Sequence, residues 1–110
     1  IKLIGYGTDF VVGCRHQVYE CGKEYWCYLQ HGMGAYRSLK AATSVNAKIC
    51  GIDDKVGTIE KGKLADISGW DADLLTDPYG LTKCAFVMKD GKEYEPEYQY
   101  GKYCKFEDLL

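Results

Sequence analysis

Long apolar runs and blocks of like charge are missing from this sequence, and each absence excludes a class of protein. No run approaches the roughly 18 apolar residues of a membrane-spanning helix, and no charged-then-apolar segment opens the chain. The 14 lysines and arginines are mixed with 16 aspartates and glutamates, so a basic surface that follows phosphates is not expected. We therefore expect a soluble cytoplasmic protein with no membrane or nucleic-acid partner.

The cysteine spacing of a zinc ribbon is also missing. The chain has six cysteines but no C-x-x-C pair. Reduced core thiols, disulfides and metal ligands all stay open from the residues alone. Several cysteines fall where a helix or strand would bury its apolar side, which favours reduced thiols that pack as small apolar groups. The six are Cys14, Cys21, Cys27, Cys50, Cys84 and Cys104.

What is present is enough chain for one globular domain. The 110 residues are 46% apolar and 27% charged, which is the composition of an ordinary folded protein. The first residue is Ile1, which lies inside an apolar strand pattern and is not preceded by Met. We therefore expect a chain that is cut from, or encoded as the end of, something longer.

The first half of the chain has the pattern of a strand followed by two helices. Residues 2–7 are predicted to form a short buried strand. From about residue 16 to residue 30 apolar residues recur at three- and four-residue intervals, and the sequence HGMG then ends this helix. Residues 35–50 are predicted to form the second helix, which Gly51 ends in a left-handed conformation. The packing face of this helix is predicted to hold Leu39, Ala42, Thr43, Asn46, Ala47 and Cys50.

The second half of the chain has the pattern of two or three short strands. Residues 65–68 are predicted to form one strand. Asp90 and Gly91 lie between two further strand-like runs, which predicts a hairpin with a two-residue type I′ turn. Residues 96–110 have no sustained period and are predicted to be a docking arm or a poorly ordered tail. The fold class is therefore α+β.

Asp9 stands directly after the predicted strand, in the sequence IGYGTDF. An acid at such a position either caps a turn through local hydrogen bonds or belongs to a site. The residues alone leave both readings open and favour the local cap.

Three separate stretches closely resemble the carboxy-terminal end of metal-dependent amidohydrolases, and most of all the prolidase-like and imidazolonepropionase-like branch. They are GTD after an apolar strand, SLKAATSVNAKICGIDDKVGTIEKGKLADI, and DPYGLTKCAFVMKDGKEY. The stretches occur in the order found in the family. The resemblance covers residues 1 to about 95, and the tail that starts at Pro96 lies outside it.

The resemblance implies a fold for the chain. Members of the family have a (β/α)8 barrel, with the site at the carboxyl ends of its strands, and a small β-sandwich. Residues 1–51 look like the last strand of the barrel and the helices that follow it. Residues 52–95 look like the carboxy-terminal strands of the sandwich, and residues 96–110 form a tail outside the pattern. As an isolated chain it looks like the last βα unit of a (β/α)8 barrel with the carboxy-terminal half of a small β-sandwich.

The resemblance also implies a role for Asp9. In the family the carboxylate at the end of the last strand coordinates a divalent metal, accepts a proton from the metal-bound water and passes it to the leaving amine. Asp9 is thus expected to be both a metal ligand and a catalytic residue, with zinc as the expected metal. His16, in the loop that follows, is a candidate for contact with the substrate, and an exposed or capping histidine is the alternative.

The other ligands of such a site lie on barrel strands that this sequence does not include. The two histidines of the chain and Asp9 cannot replace these ligands, so we expect the chain alone to hold no metal and to be inactive. The parent protein is expected to hydrolyse an amide, peptide-like or cyclic amide C–N bond. The alternative is a non-catalytic interaction or oligomerisation module, because unpaired strand edges and half of a sandwich should self-associate or bind the missing part.

Overall fold

The computed structural model describes residues 3–7 and 22–95. Within these ranges helices come first and an antiparallel sheet follows, so the predicted α+β class is confirmed. The elements are α1 (Lys23–Gln30), α2 (Ala35–Lys40), a π-helical turn (Ala41–Val45), α3 (Asn46–Ile49), β1 (Ile67–Trp70), a 3-10 turn (Gly80–Thr82), β2 (Cys84–Lys89) and β3 (Lys92–Tyr94). The predicted tail, residues 96–110, and the first part of the predicted helix 16–30 lie outside the described residues.

Helix α1 carries the two largest buried side chains of the described residues, Tyr25 and Trp26. The Tyr25 hydroxyl donates a hydrogen bond to the carbonyl oxygen of Leu74 and so joins α1 to the loop after β1. The helix ends as predicted. Gly32 has a φ of 85°, and the Met33 N–H donates to the Tyr28 carbonyl oxygen over 2.9 Å, which closes the last turn.

The second predicted helix is present as one helical stretch made of α2, the π-helical turn and α3. Gly51 has a φ of 70°, and the Ile52 N–H donates to the Ala47 carbonyl oxygen over 2.9 Å. The predicted glycine ending is therefore confirmed here as well.

The predicted packing face of this helix is correct only in part. Ala47 is buried, but Thr43 and Cys50 are exposed, and the buried positions also include Ser38 and Ala41. The reason is the π-helical turn, which holds one residue more per turn than the 3.6 residues of an α-helix. It rotates α3 relative to α2, and a face read at a constant period then mixes buried and exposed residues.

The connection from the helices to the sheet is held by Lys63. Its ammonium group donates to the Asp53 carbonyl oxygen and to the Thr58 hydroxyl, both over 2.7 Å, and lies 2.9 Å from the Glu60 carboxylate. Hydrogen bonds from Thr58 and Lys63 hold the pKa of the Glu60 carboxyl below its usual range. Gly57 lies against α3, because a Cβ atom there would come within 2.6 Å of the Ala47 Cβ.

The sheet is antiparallel and has the order β1-β2-β3. Asp90 and Gly91 have φ values of 49° and 76°, and Lys89 pairs with Lys92. The two-residue hairpin is therefore confirmed.

The predicted strand 65–68 is displaced by two residues from the observed strand β1, Ile67–Trp70. At residue 65 the neighbour across the sheet is already the hairpin turn, since the Gly91 N–H donates to the Ala65 carbonyl oxygen over 3.1 Å. At the other end, Gly69 lets the chain approach Phe86, because an added Cβ would lie 3.0 Å from the Phe86 Cβ. The ladder thus continues through a bulge to Trp70.

The prediction that the cysteines pack in the core holds only weakly. Cys27, Cys50 and Cys84 have free thiols; Cys27 and Cys84 are half-buried, and Cys50 is exposed because it follows the rotated helix α3. Cys14, Cys21 and Cys104 lie outside the described residues. Among the described residues no helix is long and apolar enough to cross a membrane.

Asp66 connects the start of β1 to the hairpin. Its carboxylate accepts a hydrogen bond from the Asp90 N–H over 2.8 Å and another from the Lys89 ammonium. These two contacts, Lys89 foremost, hold the pKa of the Asp66 carboxyl below its usual range. The folded state thus favours the ionised carboxylate of Asp66 more than the unfolded state does. The resulting stabilisation is present above the unfolded pKa of about 4 and is lost as the pH falls through the folded pKa.

We expect Asp66→Asn to lower the melting temperature at neutral pH, because asparagine cannot form the ion pair with Lys89. The difference from the unchanged protein should narrow as the pH falls from about 4 through the lower pKa of Asp66 in the folded state, since Asp66 itself then becomes neutral. Thermal denaturation at a series of pH values measures this. Asp54→Asn, at an exposed aspartate, is the control, and a difference that stays constant with pH would contradict the assignment.

Candidate functional site

The two residues predicted from the sequence for the site, Asp9 and His16, lie outside the described residues. Their roles therefore stay predictions. The described residues that lead directly to Asp9 are residues 3–7, called here segment 3–7. Asp9 follows Gly7 by two peptide units, so its Cα lies within about 7.6 Å of the Gly7 Cα in any conformation.

Segment 3–7 is not the buried strand that was predicted. No strand pairs with it among the described residues, Leu3 is 51% exposed and Gly7 is exposed. A buried strand needs neighbouring strands that satisfy its backbone groups. Here the Gly5 carbonyl oxygen, both backbone groups of Tyr6 and the Gly7 N–H are bonded to side chains of the helices instead.

Asn46, the first residue of α3, makes two hydrogen bonds to the backbone of a single residue. The Tyr6 N–H donates to Asn46 Oδ1 over 2.9 Å, and Asn46 Nδ2 donates to the Tyr6 carbonyl oxygen over 2.7 Å. The fit is close, because a Cβ atom added to Gly5 would lie 2.5 Å from Asn46 Oδ1 and 2.9 Å from Ile49 Cδ1. The side-chain amide thus satisfies both backbone groups of Tyr6.

Glu24, in the first turn of α1, binds the next residue of segment 3–7. The Gly7 N–H lies 3.0 Å from Glu24 Oε1 and 3.1 Å from Oε2, so it donates to both carboxylate oxygens. This is a charge-assisted hydrogen bond and is stronger than one between neutral groups.

Tyr28 lies between Glu24 and segment 3–7. Its hydroxyl oxygen is 2.6 Å from Glu24 Oε1 and 2.7 Å from the Gly5 carbonyl oxygen, and its single proton is donated to one of them at a time. Burial, together with the hydrogen bond to Glu24 and the charge of that residue, raises the pKa of Tyr28 to about 12. The hydroxyl therefore stays protonated at neutral pH.

The side chain of Tyr6 completes the contact with α1. Its hydroxyl accepts a hydrogen bond from the Tyr25 N–H over 3.2 Å, and its ring meets the Tyr28 ring edge to face at 5.7 Å between centroids. Segment 3–7 is therefore attached to both α1 and α3.

Asn46 carries a signal that sequence reasoning could have used, whereas Glu24 carries none. Asn46 was assigned only to the packing face, yet asparagine is an unfavourable residue inside a helix unless its side chain has a specific partner. Glu24 looks like any acid in the first turn of a helix. Its bond to Gly7 depends on the tertiary fold.

The described residues do not form a metal centre by themselves. Among residues 3–7 and 22–95, no three His, Cys, Asp or Glu side chains are grouped closely enough to hold an ion. The carboxylate of Asp9 is chemically suited to be one ligand of a divalent metal such as zinc. A zinc site needs three or four protein ligands, so Asp9 would be one of several.

A model of the Amidohydrolase family matches residues 2–94. This match covers most of the chain, and the chain therefore belongs to the amidohydrolase family. The family is generally metal-dependent.

The relatives agree with the branch inferred from the sequence motifs. Imidazolonepropionase from Shewanella baltica is 41% identical over 58 residues, which make up 50% of this chain and 14% of that protein. A putative prolidase from Bifidobacterium longum is 33% identical, with a TM-score of 0.74 over 87% of this chain and 24% of its own. A Xaa-Pro dipeptidase, solved with methionine bound in the active site, is 37% identical, with a TM-score of 0.67 over 69% of this chain and 19% of its own. The chain therefore spans less than a quarter of the length of each of these relatives.

We expect Gly5→Ala to destabilise the fold, because the new methyl group would force Asn46 away from Tyr6 or shift the segment. The loss should be about 1–3 kcal/mol, the usual range for overpacking. Gly7→Ala is the matched control, since a Cβ atom there would have no neighbour within 4 Å. Chemical denaturation of both variants measures the difference. Equal stability of the two would mean that Asn46 does not hold segment 3–7.

Proposed function

We propose that this chain is the carboxy-terminal part of a metal-dependent amidohydrolase that hydrolyses an amide, peptide-like or cyclic amide C–N bond. The observation that carries the proposal is the family match over residues 2–94. The attachment of segment 3–7, which runs towards Asp9, to the two helices that follow it supports the proposal further. In this assignment residues 1–51 form the last unit of the barrel and residues 52–95 the carboxy-terminal strands of the sandwich.

Asp9 is the residue of this chain that acts in the reaction. A divalent metal, zinc by preference, supplies an activated water molecule when it is bound. The carboxylate of Asp9 would be one ligand of that metal, and it would accept the proton that the attacking water loses and deliver it to the departing amine nitrogen. His16, seven residues after Asp9 in the sequence, is the candidate of this chain for contact with the substrate.

The relatives suggest the class of bond, and two substrate types remain in the proposal. Two solved relatives are a Xaa-Pro dipeptidase and a putative prolidase, and the curated relatives are imidazolonepropionases. These names correspond to peptide-like and cyclic substrates. The pocket of a barrel enzyme is built by loops that follow all of its strands, so one strand and its loop do not select between the two.

We expect Asp9→Asn to inactivate the protein in which this chain is joined to its barrel. Asparagine can neither accept the proton nor offer a charged ligand, so kcat should fall by about a thousandfold. Initial-rate assays on amide and cyclic amide substrates measure this, and circular dichroism checks that the fold is retained. Asp54→Asn, at an exposed aspartate, is the matched control. Near-normal turnover in the Asp9 variant would remove Asp9 from the mechanism.

A second function is favoured by the surface of the chain. Several large aliphatic side chains are exposed, among them Ile59 at 83%, Leu75 at 60% and Ile52 at 42%. Ile52, Val56 and Ile59 also line a groove of about 400 Å³ beside α3. Apolar groups grouped in this way favour an interaction module that binds the rest of an amidohydrolase or a second copy of itself.

We expect the isolated chain to self-associate, because association removes these side chains from water. Light scattering should give a mass above that of one chain, and Ile59→Lys should lower it. Thr76→Lys, at an exposed residue outside the groove, is the control for added charge. A stable monomer at all concentrations would rule out self-association.

A further inference from the structure

We infer that Asn46 and Glu24 are positioning residues for Asp9, because together they fix the backbone of residues 6 and 7 just before that carboxylate. The inference rests on the proposed function of Asp9. Neither side chain is assigned a contact with metal or substrate. Each acts through the peptide backbone of segment 3–7.

Segment 3–7 makes several hydrogen bonds to the helices over a very short stretch of chain. Both backbone groups of Tyr6 are bonded to Asn46, and the Gly7 N–H is bonded to Glu24. The Tyr28 hydroxyl is within reach of the Gly5 carbonyl oxygen. Three consecutive residues are thus held by side chains from two separate helices, which restrains both position and direction.

Gly7 also lies close in the sequence to Asp9, whose carboxylate is the reacting group. The Cα of Asp9 is tied to the Gly7 Cα by two peptide units and lies within about 7.6 Å of it. Because only one residue separates them, the position of Gly7 limits where the Asp9 carboxylate can lie. In enzymes generally, a displacement of about 1 Å in a reacting group can lower the rate by about a hundredfold.

Both carboxylate oxygens of Glu24 are used in hydrogen bonds around segment 3–7. Its two oxygens accept from the Gly7 N–H, and Oε1 also lies 2.6 Å from the Tyr28 hydroxyl. A carboxylate bonded in this way is oriented towards segment 3–7.

The first experiment measures amide hydrogen exchange in the 110-residue chain, which does not depend on any catalytic activity. Asn46→Ala should speed exchange of the Tyr6 amide, and Glu24→Ala that of the Gly7 amide, each by about tenfold. Glu24→Gln keeps an acceptor oxygen and should restore most of the protection of Gly7. Thr43→Ala is the matched control for Asn46, because the Thr43 hydroxyl donates to the Leu39 carbonyl oxygen within the same helical stretch.

The second experiment measures kinetics in the protein in which this chain is joined to its barrel. Asn46→Ala and Glu24→Ala should lower kcat between about 10-fold and 100-fold and leave KM nearly unchanged. Glu24→Gln should recover most of kcat, and Thr43→Ala should match the unchanged protein. If Asn46→Ala does not fold, Asn46→Asp, which keeps the acceptor for the Tyr6 N–H, and the Glu24 pair give the same test.

The outcomes separate this inference from the proposed function. Unchanged amide exchange in the alanine variants would overturn the inference directly. Faster exchange with normal kcat, together with an inactive Asp9→Asn variant, would overturn the positioning role and leave the proposed function standing. An active Asp9→Asn variant would overturn both, whatever the exchange rates are.

Discussion

The side-chain amide of Asn46 and the peptide backbone of Tyr6 form the contact on which the arrangement of the helical part depends. A backbone segment without a strand neighbour must satisfy its N–H and C=O groups in another way. An amide side chain carries one donor group and one acceptor group at the spacing of a peptide unit. Asn46 uses both on a single residue, so α3 and segment 3–7 cannot slide past each other without losing two hydrogen bonds at once.

The π-helical turn explains how Asn46 reaches this position. One extra residue in a helix rotates everything after it by about 100°. The turn spans Ala41–Val45 and ends directly before Asn46. Ser38 and Ala47 are both buried although the turn lies between them. The same stretch of helix thus buries small side chains on both sides of the turn and points one polar side chain at Tyr6.

Features that arise from local backbone chemistry could be predicted from the sequence, and features that arise from tertiary contacts could not. Gly32, Gly51 and the Asp90-Gly91 pair end helices or turn the chain because of their own φ preferences. The limits of β1 and the packing face of the second helix depend on distant partners and on the π-helical turn. For the site, Asp9 came from resemblance to a family, since its residue type alone fits a cap equally well. Glu24 could not be found in advance, because its partner is a backbone N–H 17 positions earlier in the sequence.

Glu24 and Asp9 are acids with different functions in the proposed site. Glu24 is held by hydrogen bonds from the fold itself, and its charge is used to fix a glycine backbone. In the proposed mechanism Asp9 must instead bind a metal and exchange a proton, which requires a carboxylate that the fold does not saturate. The segment that leads to such a carboxylate can meet both needs only if another residue holds its backbone. The helices that follow segment 3–7 supply that residue, so positioning and chemistry can be encoded within one short unit of chain.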